Sequence, residues 1–191
     1  MRLILASASP RRRELLEMLG VENFEVIPAQ GEELSHPELS PSELVHELSR
    51  AKASEVGAVV DDPEALIIGA DTVVSIDNAV LGKPKDPEDA HRMLRLLSDR
   101  THEVFTGVTV LRGGEIYTVS ERTAVRFRAL TEGEIAAYVA TGEPLDKAGA
   151  YGAQGKASLF VEGIEGDFFN VMGLPLCLLG KILGKLGVVL L

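Results

Sequence analysis

Two serines, a proline and three arginines crowd the start of the chain as Ser7-Ala8-Ser9-Pro10-Arg11-Arg12-Arg13. Hydroxyls, guanidiniums and the unpaired N–H groups of a helix start all bind anions. A helix N-terminus disfavours each nearby cation by roughly 0.3–1 kcal/mol, so three arginines in a first turn need a reason. One reason is a carboxylate for each, Glu14 or another. The other is a polyanionic ligand on which they converge, and the adjacent hydroxyls of Ser7 and Ser9 favour that. Lys52 and Lys83 add cations further along, and Glu33 and Asp71 add carboxylates. Carboxylates facing a polyphosphate repel it unless a divalent cation lies between, and Mg²⁺ takes one or two carboxylates plus substrate phosphates. The set points to metal-assisted hydrolysis of a phosphoanhydride, with Asp71 activating water or, with Glu33, holding Mg²⁺ or Mn²⁺. The sequence carries neither a P-loop pattern nor a dinucleotide-binding glycine pattern.

These residues have to be held by the elements around them. Leu3–Ala6 reads as a strand, and Ser9-Pro10 opens a helix with serine as N-cap and proline at the first helical position. Gly20 stops that helix. Phe24–Ile27 is a second strand. Ser40-Pro41-Ser42-Glu43 is a capping box, opening a helix to about Glu55. Leu44, Val45, Leu48 and Ala51 are its inward residues, Lys52 lies on its last turn, and Gly57 is its stop. Lys52 has a plainer role there as complement to the helix dipole. Leu66–Ala70 is a continuous apolar run of buried-strand type. Asp71 and Thr72 follow it, and a carboxylate in such a context needs a partner or a task.

Asp77-Asn78 turns the chain into a returning strand that ends at Gly82-Lys83-Pro84. Asp86-Pro87 caps a helix whose Met93, Leu94, Leu96 and Leu97 face the core. Thr101–Leu111 and Glu115–Arg128 form an antiparallel hairpin about Gly113-Gly114. Thr131 with Glu134 is a second capping box. The loop from Gly142 to Gly155 is long for a compact domain and poor in disorder-favouring residues, so it reads as ordered and functional. Ser158–Glu162 is expected as a strand, with a terminal helix after Pro175. The whole reads as α/β: a mixed twisted sheet flanked by helices, in two lobes with a central cleft, forming one domain over residues 1–191. Asp71 and the serine turn are both expected at strand ends, where such sheets bind ligands.

Composition limits the partners. With 191 residues and a formal net charge of −10, general nucleic-acid affinity is excluded, and the basic N-terminal turn becomes a local exception suited to a small anion. The single cysteine, Cys177, permits no internal disulfide, is expected to pack as a small core residue, and points to a reducing compartment. The four histidines lack zinc-ligand spacing. No signal peptide is visible, and the apolar run Leu174–Leu191, broken by lysines and glycines, reads as a core-packed helix and tail rather than a membrane span.

Six blocks, taken together and in order, resemble the Maf family of nucleoside triphosphate pyrophosphatases: Ser7–Arg12, Ala70–Val74, Gly82–Pro84, His102–Gly107, Gly142–Gly155 and Gly166–Pro175. The resemblance implies hydrolysis of a nucleoside triphosphate to monophosphate and pyrophosphate with a divalent metal. It also implies a fold like that of inosine-triphosphate pyrophosphatases, a cytoplasmic location and often a homodimer. The family's general base falls on Asp71 and its specificity positions on Arg11, Thr72 and Gln154. Glu33, Lys52 and Lys83 match its remaining charged positions. Thr72 and Gln154 are similar to the branch acting on dTTP and UTP. Asp99 departs from the pattern, which has glycine there.

Hydrogen-bonding capacity agrees with that branch. A pyrimidine offers a carbonyl–imide–carbonyl edge; a glutamine amide can donate to a carbonyl and accept from the imide, and a threonine hydroxyl can do either. The plainer role for Gln154 is a loop-stabilising amide, and for His102 and Tyr151 core packing. Two other readings stand beside this one: a non-enzymatic nucleotide-binding regulator of septum formation, and a pyrophosphatase for modified purine nucleotides.

Overall fold

The computed structural model describes residues 2–21, 23–31, 38–188 and 190. The strands are β1 (Leu3–Leu5), β2 (Glu25–Val26), β3 (Leu66–Ile76), β4 (Ala79–Leu81), β5 (Thr101–Arg112), β6 (Glu115–Phe127) and β7 (Val161–Glu165). They form one sheet of order β2-β1-β3-β5-β6-β7, with β4 paired to β3. The β2-β1-β3 pairs are parallel and the others antiparallel, so the sheet is mixed, as expected. The helices are α1 (Pro10–Met18), α2 (Pro41–Val59), α3 (Pro87–Leu97), α4 (Glu132–Val139), α5 (Phe168–Met172) and α6 (Leu176–Lys185). Among the described residues no helix is long and apolar enough to cross a membrane.

Register on β3 creates the opening. Its pairing with β1 ends at Leu5↔Ile68, and its pairing with β4 begins only at Val74↔Leu81. Residues 69–73 thus have a strand neighbour on one side alone, β5, among the described residues. Asp71 therefore sits inside a strand, not at its end as the sequence suggests. What ends is the neighbouring β1, and the crevice lies just beyond it.

Side chains alternate across a strand. Ile67 and Val73 pack with residues of α2, whereas Leu66, Ile68 and Ala70 pack with α1 and α6. Asp71 consequently faces α2, and Thr72 faces the opposite way. Helix α2 lies unusually close because β3 and β5 offer glycines beneath it. A Cβ on Gly69 would stand 2.4 Å from the Ser49 carbonyl, and one on Gly107 2.1 Å from the Val45 carbonyl.

Two large apolar clusters share the long strands. One joins β1, α1 and α6 to β3 and β5; the other joins α3, α4 and the 150–160 segment to β3, β4, β5 and β6. They correspond to the two lobes expected from the sequence.

Local corrections have local causes. Helix α2 runs past Gly57 to Val59, because Gly57 serves close approach rather than termination: its Cβ would meet Leu111 at 3.4 Å. Lys52 accordingly lies mid-helix. Ala51 is exposed, and Ser49 is buried in its stead, with Oγ 2.9 Å from Thr109 Oγ1. Residues Lys156–Leu159 form a 3₁₀ turn and the strand starts at Val161, so Ser158–Glu162 is displaced. Cys177 is exposed: α6 turns Leu176, Leu179, Ile182 and Leu183 inward instead. Asp99 holds φ +57°, the left-handed conformation that glycine favours and aspartate tolerates.

Candidate active site

A cleft of about 1090 Å³ opens between the two clusters. Its walls come from the Ala6–Arg12 turn, from α2, from residues 71–74 of β3, from the β4–Lys83 segment, from residues 145–154 and from residues 171–173.

The serine turn builds one wall. Ser7 is buried, and its Oγ accepts from the Ser9 N–H at 3.2 Å and from Arg12 Nη1 at 3.1 Å. Ser9 occupies the N-cap position of α1, but its hydroxyl makes no cap hydrogen bond; Ser7 takes over the local backbone. The three arginines part company. Arg13 is exposed and pairs with Glu17 at 2.9 Å, the carboxylate-partner alternative. Arg12 turns inward and is buried, with Nε donating to the Gly173 carbonyl at 2.8 Å and Nη2 to Thr72 Oγ1 at 3.0 Å. Arg11 is half-buried, lines the cleft, and makes no side-chain hydrogen bond among the described residues. Convergence thus holds for Arg11 and Arg12 and fails for Arg13.

Opposite that wall, Lys52 Nζ donates to Asp71 Oδ1. Both side chains are largely buried, and Asp71 Oδ2 has no hydrogen bond among the described residues. Thr72 Oγ1 continues inward to Thr106 Oγ1 at 2.9 Å, and Thr106 Oγ1 donates to the Asn170 carbonyl at 2.9 Å.

The Gly142–Gly155 loop is ordered, in two short 3₁₀ turns, Glu143–Asp146 and Ala148–Ala150, and a further turn. Glu143 gathers it: its Oε1 accepts from Tyr138 Oη at 3.0 Å and from the Lys156 N–H at 3.1 Å. Tyr138 Oη accepts in turn from the Gly152 N–H at 3.2 Å. Gln154, carried on this loop, is exposed, lines the cleft, and makes no hydrogen bond among the described residues. A loop-stabilising role for its amide is therefore not what the structure contains. Lys83 is exposed and also lines the cleft. Glu33 lies outside the described residues.

His102 and Tyr151 are core residues, as the plainer reading has it. His102 Nε2 is 2.8 Å from Tyr151 Oη, and His102 stacks edge-on with Phe127 at 4.9 Å. Burial pushes the His102 imidazole down to about 4 and the Tyr151 phenol upward.

Two lining residues escaped the sequence reading: Asp146 and Lys147, whose Nζ bonds both Asp146 Oδ1 and the Glu143 carbonyl. Burial raises the Asp146 pKa, but the Lys147 hydrogen bond and the charges of Lys147 and Arg11 outweigh it and hold the group below its usual value. The described lining contains five cations (Arg11, Arg12, Lys52, Lys83, Lys147) against two carboxylates, Asp71 and Asp146. In a chain of net charge −10 the described lining is locally basic. Among the described residues no group of three or more His, Cys, Asp or Glu is placed to hold a metal ion. Asp71, whose Oδ2 is unbonded among the described residues, is one carboxylate of the type that a hard cation takes alongside phosphate oxygens.

Fold and site together define an α/β protein with a strand-edge cleft whose described lining is rich in cations. The chain belongs to the Maf-like protein family, whose sequence profile matches residues 2–186. It is 54% identical to the dTTP/UTP pyrophosphatase of Moorella thermoacetica, over 98% of this chain and 96% of that one. It is 50% identical to the dTTP/UTP pyrophosphatase of Agathobacter rectalis, over 97% and 98% of the two chains. Among solved structures it is similar in fold to a HAM1 protein from Coxiella burnetii, with a TM-score of 0.52, 15% identity, and 97% and 99% of the two chains covered.

Proposed function

We propose that the protein hydrolyses nucleoside triphosphates, dTTP and UTP foremost, to the monophosphate and pyrophosphate. The observation that carries this is the Asp71 carboxylate, lodged in a cleft whose described lining is otherwise dominated by cations. A pure anion binder gains nothing from a carboxylate beside its phosphates. Relatives about half identical over nearly their full length, named dTTP/UTP pyrophosphatases, support the same reading.

In this reading Arg11, Arg12, Lys83 and the hydroxyls of Ser7 and Ser9 bind the triphosphate. Lys52 fixes Asp71 through Oδ1, and Oδ2 takes the proton of the attacking water. The bond between the α- and β-phosphates breaks, and pyrophosphate leaves with its charge balanced by the lining cations. Asp71 and Glu33 would hold a divalent cation, Mg²⁺ or Mn²⁺, whose chemistry there is charge neutralisation and polarisation of phosphoryl oxygens. Arg11, Thr72 and Gln154 read the base. The same reading makes the protein cytoplasmic and a homodimer its expected assembly.

The test is pyrophosphate release from a panel of nucleoside triphosphates with Mg²⁺ or Mn²⁺, wild type beside Asp71→Ala. Selective turnover of dTTP and UTP that disappears in the variant is expected. A preference for purine nucleotides would overturn the base assignment, and nucleotide binding without any turnover would favour a regulator.

A further inference from the structure

We infer that Thr106, buried behind the cleft, fixes the proton of the Thr72 hydroxyl, so that Thr72 meets a ligand only as a hydrogen-bond acceptor and selects a base that offers an N–H. This rests on reading the cleft as a nucleoside triphosphate site.

The argument is a count of protons. The Asn170 carbonyl cannot donate, so the Thr106 hydroxyl, 2.9 Å away, donates to it. A hydroxyl has one proton. Thr106 has therefore none left for Thr72, whose Oγ1 lies 2.9 Å from its own. Thr72 must donate to Thr106. On its other side Arg12 Nη2, which is always protonated, donates to Thr72 Oγ1 at 3.0 Å. The chain of donors runs one way: Arg12 to Thr72, Thr72 to Thr106, Thr106 to the Asn170 carbonyl. Such a directed chain polarises each member in the same sense.

Thr72 then has one lone pair remaining and no proton to give. Thr72 lines the cleft, whereas Thr106 is fully buried. Asn170 cannot drift, because its Nδ2 donates to the Val104 carbonyl at 3.0 Å and to Thr123 Oγ1 at 2.9 Å. Uracil and thymine present N3–H, a donor, to such a lone pair. Cytosine presents an unprotonated N3, an acceptor, and the two lone pairs would oppose each other. Thr106 is thus a positioning residue for base selection, without touching the base.

The test measures calorimetric binding of α,β-methylene triphosphates of uridine, cytidine and N3-methyluridine. Wild type is expected to bind the uridine compound at least about tenfold more tightly than the other two, a difference of about 1.4 kcal/mol. Thr106→Val frees the Thr72 proton and should bring the uridine and cytidine affinities to within about threefold. Thr106→Ser should restore the wild-type ratio, which a merely structural role for Thr106 would not distinguish from the valine variant at equal stability. Equal binding of all three compounds by wild type, or an unchanged ratio in a folded Thr106→Val, would overturn the inference. Should Thr106→Val fail to fold, Thr106→Ala, which also removes the hydroxyl, takes its place and is read by the same uridine-to-cytidine ratio. Selective binding without hydrolysis of UTP would defeat the proposed reaction and leave this inference standing; no binding of any compound would defeat both.

Discussion

Lys52 and Asp71 meet where α2 crosses the sheet, the lysine from the middle of α2 and the aspartate from the stretch of β3 that has β5 as its one strand neighbour among the described residues. Neither position alone suggests the pairing; the register of β3 and the closeness of α2 create it. Asp71→Asn keeps the size and loses the base. Turnover should fall by about 10²–10⁴, with nucleotide affinity and thermal midpoint little changed. Pyrophosphate release and calorimetry check this, and an active Asn variant would remove Asp71 from the chemistry.

Gln154 is exposed and bonded to nothing among the described residues. Gln154→Ala should therefore leave stability within about 0.5 kcal/mol of wild type. Its effect should fall on discrimination between pyrimidine and purine triphosphates. A urea melt and a substrate panel separate the two effects; a large loss of stability would return the amide to a scaffolding role.

Tyr138 holds the cleft loop through two hydrogen bonds, to Glu143 and from the Gly152 N–H. Tyr138→Phe removes both and should cost about 1–3 kcal/mol. Amide hydrogen exchange should accelerate over residues 143–155 while the β5–β6 hairpin keeps its protection. Uniform acceleration across the chain would show that the loop is not a separate unit.

The buried His102 has a pH signature. Its folded pKa, about 4, lies below the usual 6.5, so between these values the unfolded chain binds the proton and the folded chain does not. Stability from this group is complete above pH 6.5 and is lost as pH falls toward 4, by up to about 3 kcal/mol. His102→Gln, which does not titrate, should flatten the unfolding free energy across that window. An equally steep slope in the variant would place the titration elsewhere.

Gly107→Ala tests the approach of α2. The added methyl would strike the Val45 carbonyl, backbone that cannot step aside without moving the helix. Overpacking of this kind typically costs about 1–3 kcal/mol. Because displacement of α2 also displaces Lys52, turnover should fall further than stability alone explains. Urea unfolding and turnover at saturating nucleotide measure the two parts.

Much of the architecture was legible because local signals agreed. The Ser40–Glu43 and Thr131–Glu134 capping boxes form as written, and Asp77-Asn78, both at positive φ, turns the β3–β4 hairpin. What the sequence hid depends on partners far along the chain. The inward turn of Arg12 needs the Gly173 carbonyl, and the exclusion of Arg13 needs that same orientation of α1. The place of Asp71 inside its strand depends on where β1 stops, a property of another strand. Ser49 is buried because glycines lie opposite it, and a periodicity count that weighs only apolar residues passes over it. Lys147 carries no local signal that marks it as part of the cleft, and Thr106 and Asn170 carry none that places them behind it.

The bond from Arg12 to the Gly173 carbonyl spans 161 residues of sequence. A ribosome has released Ser7, Arg11, Lys52, Asp71 and Thr72 long before it adds Gly173. Until then Arg12 lacks the carbonyl that anchors its Nε, and Thr106 lacks the Asn170 carbonyl that accepts its hydrogen bond. A partly synthesised chain thus holds most of its reactive groups without the frame that aims them. The cleft is therefore finished only when the last fifth of the chain has been added.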